Sequence, residues 1–246
     1  MTAADWRGQA GSGRLGADAV TGHVDDFALW VADLAAFWRE WASERPGPLV
    51  LAGHSMGGHL VLRAVAEGAV RPDTLVLSAP MLGFLPEFLP AGVQHAVAAL
   101  MSRLGDPRRP AWKWSEKPGE LPAGRIDLLT HDAERYADES WWRAERPELA
   151  MGPGSWGWTR AASASNALLA RRGVLERVEI PVLLLAARAD RLVSFRAIER
   201  AAERIPNNVL AVFVDGARHE LLREKDEVRD RVLAVIDTFL DRHVSP

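Results

Sequence analysis

The sequence lacks cysteine altogether, although it runs to 246 residues. Without cysteine the protein has no disulfide, no thiol nucleophile and no thiolate metal ligand, and this usage fits a reducing compartment. The first residues, Met1 to Arg7, contain no apolar signal-peptide core, and no apolar run approaches the length of a membrane span. We therefore expect a cytoplasmic protein.

An excess of positive charge is also missing, since the net charge is −3 and no long basic run occurs. A chain of this kind has no electrostatic footprint for nucleic acid, so we expect no nucleic-acid partner. The seven histidines are scattered without the spacing of metal ligands, and no Gly-x-Gly-x-x-Gly follows a predicted strand. The sequence therefore predicts no metal and no other cofactor.

Short apolar runs alternate with segments whose apolar residues recur at three- and four-residue steps. The predicted strands are residues 49–52, 74–78, 180–186 and 209–214. The predicted helices are residues 23–44, 60–67, 196–204 and 228–239. This alternation predicts an α/β fold whose parallel sheet is covered by helices on both faces.

The middle of the chain breaks this rhythm with many Pro and Trp residues, and six of the ten tryptophans fall between Trp112 and Trp158. We therefore predict one α/β fold that is interrupted by an insert. Residues 1–82 form the first part of the core, residues 83–176 a helical, Trp-rich insert, and residues 177–246 the second part of the core.

A strand–turn–helix segment with a central serine, Gly53-His54-Ser55-Met56-Gly57, follows the first predicted strand. Such a sharp turn holds a serine clear of the sheet in a strained backbone conformation, and Gly53 and Gly57 leave it space. The N–H of Met56, at the start of the next helix, can donate to an oxyanion. We predict that Ser55 is a nucleophile; the alternative is a Gly-rich structural turn.

Such a serine needs a general base, and folds with this kind of strand–turn–helix nucleophile carry their catalytic residues in the order Ser, acid, His, so the base must come late in the chain. His219 lies on the loop between the last predicted strand and the last predicted helix, whereas His54 is too near Ser55 in sequence to reach its hydroxyl. Asp190, directly after the third predicted strand, is the expected acid. Asp215 is the rival acid, and a helix cap or an arginine pair is the alternative role for Asp190.

These segments resemble the monoacylglycerol lipase and lysophospholipase branch of the α/β-hydrolases. The resemblance is carried by Gly-His-Ser-Met-Gly-Gly from Gly53, by Asp-Trp-Arg-Gly-Gln from Asp5, by Ala-Asp-Arg-Leu-Val from Ala189 and by Ala-Arg-His-Glu from Ala217. It implies catalytic roles for Ser55, Asp190 and His219, and it identifies the insert as a cap domain.

The front of the chain departs from that family. The Asp-Trp-Arg-Gly-Gln segment of the family follows three strands and a helix, but here it starts at residue 5. The strands before it and the His-Gly loop that supplies a second oxyanion donor have no counterpart, and losing one such donor typically costs about 10²–10³ in rate. We therefore expect an N-terminally truncated chain; a genuinely shortened protein is the alternative.

The insert contains many large apolar side chains. They could line an acyl-chain pocket, or they could form the insert's own small core. We predict a serine carboxylic ester hydrolase that acts on a lysophospholipid or monoacylglycerol through an acyl-serine intermediate, with His54, Trp112 and Trp114 as candidate substrate contacts. A lipid substrate adds the expectation of peripheral contact with the inner membrane face. The alternatives are a non-catalytic truncated fragment and an acyltransferase, and the oligomeric state stays open.

Overall fold

A computed structural model describes residues 1–113, 124–212 and 216–244 of the chain. Strands and helices alternate in its first and last parts, and helices with irregular segments occupy the middle. The strands are β1 (Val50–His54), β2 (Thr74–Ser78), β3 (Val182–Ala186) and β4 (Asn208–Val212). The helices are α1 (Phe27–Ser43), α2 (Ser55–Ala66), α3 (Ala91–Arg103), α4 (Ile126–Leu129), α5 (Ala133–Glu145), α6 (Trp156–Leu169), α7 (Phe195–Ala202) and α8 (Asp226–His243).

Within the described ranges the strands form a single parallel sheet in the order β1-β2-β3-β4. Every residue of β2 and β3 is buried, as expected for continuously apolar strands that are covered on both faces. The residues of β1 are only partly covered. The prediction of an α/β fold with a parallel sheet is confirmed, and parallel neighbours account for the long crossover between each pair of strands.

One face of the sheet packs against α8. Val76 of β2 and Leu183 of β3 share a buried cluster with Val228, Val232 and Phe239 of α8. These α8 residues recur at intervals of four and seven, which places them on one side of the helix. The helix predicted at residues 228–239 is therefore present within α8, and its apolar side shields this part of the sheet from water.

The chain forms two compact units. One consists of Met1–Trp30, Leu89–Ile126 and Ala133–Ser165, and the other of Val31–Phe88, Asp127–Asp132 and Asn166–Pro246. The second unit contains the whole described sheet. Residues 1–30, which the sequence-based division grouped with the core, join residues of the insert, while the boundaries at 82 and 176 stay a prediction.

Aromatic packing explains why the N-terminal segment belongs to the first unit. Phe27 lies 5.0 Å from Trp30 and 5.9 Å from Trp158 of the insert, measured between ring centroids. Trp6 packs on Trp30, whose Nε1–H donates to the Arg7 carbonyl at 2.9 Å. Trp30 and Trp158 therefore belong to the aromatic packing of this unit, whereas Trp112, Trp141 and Trp142 of the insert are 51%, 54% and 48% exposed, so packing accounts for only part of the tryptophan excess.

Candidate active site

The turn between β1 and α2 places Ser55 at the carboxyl end of the first strand. Ser55 has a φ of 51°, a left-handed conformation that residues with a side chain rarely adopt. A Cβ added at Gly53 would lie 2.7 Å from the carbonyl carbon and oxygen of Gly57. The backbone therefore passes too close to itself for any side chain at Gly53, and the strained turn of the sequence prediction is present.

The loop after β2 supports this strained turn through hydrogen bonds. The Met81 N–H donates to the Ser55 carbonyl at 2.9 Å, and the Met81 carbonyl lies 3.1 Å from Nδ1 of the fully buried His59 on α2. Burial and the charge of Arg63 lower the pKa of His59 to about 3, so its ring is neutral and donates from Nδ1. Sequence reasoning missed both supports, because neither belongs to a local motif.

A second glycine also matters at this turn. A Cβ added at Gly58 would lie 3.0 Å from the Gly53 carbonyl oxygen and 3.1 Å from the Cβ of Pro80. The sequence reasoning assigned the space to Gly53 and Gly57, yet Gly58 also allows α2 to approach the loop after β2. The doubled glycine in the sequence was the signal that could have pointed to it.

His219 joins the serine to a buried acid. Its Nε2 lies 2.9 Å from the Ser55 Oγ and its Nδ1 lies 2.7 Å from Oδ2 of Asp190. The side chains of His219 and Asp190 are 4% and 2% exposed. Since a carboxylate only accepts hydrogen bonds, Nδ1 carries the proton and Nε2 is left to accept the proton of the serine hydroxyl.

The acid itself is fixed by the loop after β3. Oδ1 of Asp190 accepts the N–H groups of Leu192 and Val193, at 2.8 and 3.0 Å. One oxygen is thus occupied by the main chain while the other faces His219. Because Oδ1 is bound by the main chain, the carboxylate cannot rotate, and Oδ2 therefore keeps the imidazole of His219 in one orientation.

His54 lies beside this arrangement. Its ring centroid is 4.8 Å from that of His219, and its Nδ1 is 3.4 Å from the Ser78 Oγ. Although the residue keeps solvent-accessible surface, desolvation of its ring lowers the pKa of His54, and the charge of a protonated His219 lowers it further. A neutral, partly accessible imidazole next to the reacting groups keeps His54 a candidate substrate contact.

The remaining predicted site residues fall in different places. Met56 lies in the first turn of α2, directly after Ser55. Trp112 lines a groove of about 430 Å³ in the first unit, together with Asp18, Thr21 and Lys113. Trp114 and the rival acid Asp215 lie outside the described residues.

No three His, Asp or Glu side chains in the described ranges lie close enough together to bind a metal ion. None of the helices in the described part of the chain is both long and apolar enough to cross a membrane.

Comparison with known proteins identifies the family of this chain. A family model described as serine aminopeptidase, S33, matches residues 1–226. The chain belongs to this family, within the α/β-hydrolases. It is a serine hydrolase enzyme, and the resemblance to the lysophospholipase and monoacylglycerol lipase branch is confirmed.

Its relatives include lysophospholipase L2 of Escherichia coli strain K12, which is 32% identical over 98% of this chain and 72% of its own length. Monoglyceride lipase of Rattus norvegicus is 25% identical over 90% of this chain and 68% of its own length. A soluble variant of monoglyceride lipase from Saccharomyces cerevisiae shares the fold, with a TM-score of 0.73 and 20% identity over 98% of this chain and 77% of that one.

The space at the turn gives a direct prediction. Gly53→Ala should lower the free energy of unfolding by about 1–3 kcal/mol and displace Ser55, because its Cβ meets main-chain atoms that cannot rotate away. Urea denaturation measures the first effect, and the rate of labelling by a fluorophosphonate probe measures the second.

Gly92→Ala on α3 is the matched control for this substitution. A Cβ at Gly92 meets nothing within 4 Å, so this change should raise helix stability by about 0.5–1 kcal/mol and leave labelling unchanged. Equal stability and equal labelling of the Gly53→Ala variant and the parent would contradict the account of the turn.

Proposed function

We propose that this hydrolase cleaves carboxylic esters of lysophospholipid or monoacylglycerol type through an acyl intermediate on Ser55. The observation that supports it best is the continuous line of hydrogen bonds from Ser55 through His219 to Asp190. A serine hydroxyl is a weak nucleophile at neutral pH, and a buried imidazole at 2.9 Å, oriented by a carboxylate, is the arrangement that activates it.

In the acylation step the Ser55 Oγ attacks the ester carbonyl carbon while its proton moves to Nε2 of His219. The carbonyl oxygen becomes an oxyanion, to which the N–H of Met56 donates at the positive end of α2. The intermediate then collapses, the carbon–oxygen bond to the alcohol breaks, and the departing alcohol oxygen takes the proton from His219. An ester of Ser55 and the free alcohol result.

Deacylation repeats these steps with water. Nε2 of His219 accepts a proton from the water as its oxygen attacks the acyl carbonyl, and the same proton then passes to the Ser55 Oγ as the acyl bond breaks. Asp190 stabilises the imidazolium in both halves without taking its proton. The products are a free fatty acid and the enzyme in its starting form.

The substrate class rests on the relatives rather than on the triad, because this chemistry serves esters and amides alike. The relatives reported above are named lysophospholipase and monoglyceride lipase, whereas the family model carries the description of an aminopeptidase. We assign the insert, residues 83–176, the role of a cap that shapes an acyl-chain pocket. His54, Trp112 and Trp114 stay proposed substrate contacts.

Substitutions in the triad test this mechanism. Ser55→Ala should abolish fluorophosphonate labelling, and Asp190→Asn should lower kcat by about 10⁴-fold, as in other triads where the acid loses its charge. Probe incorporation measures the first effect. Steady-state kinetics on p-nitrophenyl esters of graded chain length measures the second, with monoacylglycerol and lysophospholipid as the proposed natural types of substrate.

An aminoacyl p-nitroanilide is the comparison substrate. The proposal predicts that the ester is cleaved far faster than this amide. Faster cleavage of the anilide, or labelling that persists in the Ser55→Ala variant, would contradict it.

We also infer peripheral binding to a lipid surface, through an apolar stripe on α3. Val93, Val97 and Leu100 of α3 and Leu104 directly after it are 44–59% exposed, and the spacing of the first three places them on one side of the helix. The exposed Arg103 at the end of the helix adds positive charge beside them. An exposed apolar face with positive charge beside it is a feature of helices that lie in the membrane interface, where the proposed substrates reside.

A double substitution tests the stripe. Val97→Glu combined with Leu100→Glu should lower binding to vesicles of phosphatidylglycerol and phosphatidylcholine by at least about 10-fold, because it places two charges in the interface. Co-sedimentation measures the binding. Leu29→Glu, at a leucine on α1 that is 42% exposed, is the control; equal loss in the control, or no loss in the double variant, would contradict the inference.

A further inference from the structure

The loop that carries His219 is anchored by a carboxylate that the proposed mechanism does not use. Glu224 is completely buried, and its Oε1 accepts the N–H of Arg218, the residue before His219, at 2.7 Å. Between the two lies a short 3₁₀ turn, Leu221–Arg223, so that Glu224 reaches back along its own chain. The hydrogen bond therefore acts on the backbone one residue away from the imidazole.

The same carboxylate is bound from the other side by His131. Its Oε2 accepts the main-chain N–H of His131 at 3.0 Å, and Nδ1 of the His131 ring lies 3.0 Å from Oε1. Glu224 thus joins two segments that are 93 residues apart in sequence. The His131 side chain is one-third exposed, whereas that of Glu224 is 1% exposed, so the imidazole covers the carboxylate toward solvent.

Further bonds tie the loop to residues 127–132, which we call the anchor segment. The N–H of Glu220, the residue after His219, donates to the Leu129 carbonyl at 2.8 Å. The hydroxyl of Thr130 donates to the Arg223 carbonyl at 2.7 Å. The residues on both sides of His219 are therefore bonded to groups outside their own turn.

The Arg218 side chain adds a connection to the same segment. Its guanidinium donates to Asp127 at 3.1 Å and to the Thr130 carbonyl at 3.2 Å. The anchor segment belongs to the same compact unit as the sheet, although the residues before and after it belong to the other unit. It is the piece of the predicted insert that packs with the catalytic loop.

A buried carboxylate by itself contributes little to the stability of the folded state. Removing an ion from water carries a large desolvation penalty, and apolar replacements of buried charges are often neutral or stabilising. A carboxylate does supply strong acceptors that fix several N–H groups in one geometry. Proton transfer from Ser55 to His219 depends on such geometry, since a misplacement of about 1 Å can cost about 10²-fold in rate.

We propose that Glu224 and His131 form a positioning clamp that sets the place of the His219 ring relative to Ser55 and Asp190. The proposal rests on the proposed function for its link to turnover. Glu224 acts through the main-chain N–H of Arg218, directly before His219, and His131 acts by holding the Glu224 carboxylate in place. Loss of the clamp lets the loop shift, which weakens the bonds of His219 without altering the groups that bind substrate.

Two substitutions of His131 separate this role from simple packing. The side-chain amide of His131→Asn places an N–H donor near the position of Nδ1, whereas His131→Leu removes the donor and leaves the carboxylate short of a partner. We expect His131→Leu to lower kcat by at least about 10-fold with KM changed by less than about 3-fold. His131→Asn should restore kcat to within about 3-fold of the parent.

A matched control removes another charged anchor of the same unit. Arg204 donates to Glu176 at 2.9 Å and to the carbonyls of Ala170 and Arg171, none of which belongs to the His219 loop. Arg204→Leu should lower stability in urea denaturation without lowering kcat. If it reduces kcat as much as His131→Leu does, the clamp is merely structural and the proposal is overturned.

A second readout does not depend on ester hydrolysis. We expect the proton between His219 Nδ1 and Asp190 Oδ2, which lie 2.7 Å apart, to give a strongly deshielded signal in proton NMR spectra. The proposal predicts that this signal is present in the parent, persists in His131→Asn and Arg204→Leu, and broadens or disappears in His131→Leu. A signal unchanged in His131→Leu would overturn the clamp.

The two readouts distinguish failure of the clamp from failure of the proposed function. A parent that shows the signal but cleaves no ester contradicts the proposed function, while the NMR comparison still tests the clamp. If His131→Leu does not fold, Glu224→Gln carries the same test, because its amide nitrogen has the size of the lost oxygen but cannot accept a hydrogen bond. Unchanged kcat and an unchanged signal in Glu224→Gln would overturn the proposal.

Discussion

The hydrogen bond of 2.7 Å between Nδ1 of His219 and Oδ2 of Asp190 is the interaction on which the site depends. It selects the tautomer of the imidazole and thereby turns Nε2 into an acceptor for the Ser55 hydroxyl. The bond exists because two loops, one after β3 and one before α8, meet at the carboxyl end of a parallel sheet. The sheet, its covering helices and the loop contacts therefore hold these two loops in place, and so keep the Nδ1 proton between His219 and Asp190.

Backbone strain at Ser55 is the second constraint, and the surrounding backbone maintains it. Ser55 keeps a φ of 51° while its carbonyl is bound by Met81 and its turn is too narrow for a side chain at Gly53. Such conformations cost about 1–3 kcal/mol each and persist where neighbouring structure determines them. The buried His59, which lies against the Met81 carbonyl, shows that this support extends one layer below the turn.

Much of the candidate site could be predicted from the sequence, because its residues lie directly after or in the loops after predicted strands. Ser55 comes directly after an apolar run within a Gly-x-Ser-x-Gly segment, and Asp190 and His219 come after later runs in the expected order. The clamp residues were not readable, since Glu224 and His131 meet only in three dimensions and belong to no local pattern. The packing of the N-terminal segment with the insert was missed for the same reason: it depends on contacts between distant aromatic rings.

The central claim is that Ser55 carries the acyl group during turnover. The most direct measurement mixes the protein with an activated p-nitrophenyl ester, quenches the reaction with acid within the first turnover, and determines the intact mass and the modified peptide. The account predicts an added acyl mass on the peptide that contains Ser55, and no added mass in the Ser55→Ala variant. An acyl group on another residue, or a burst of product without any acylated protein, would contradict it.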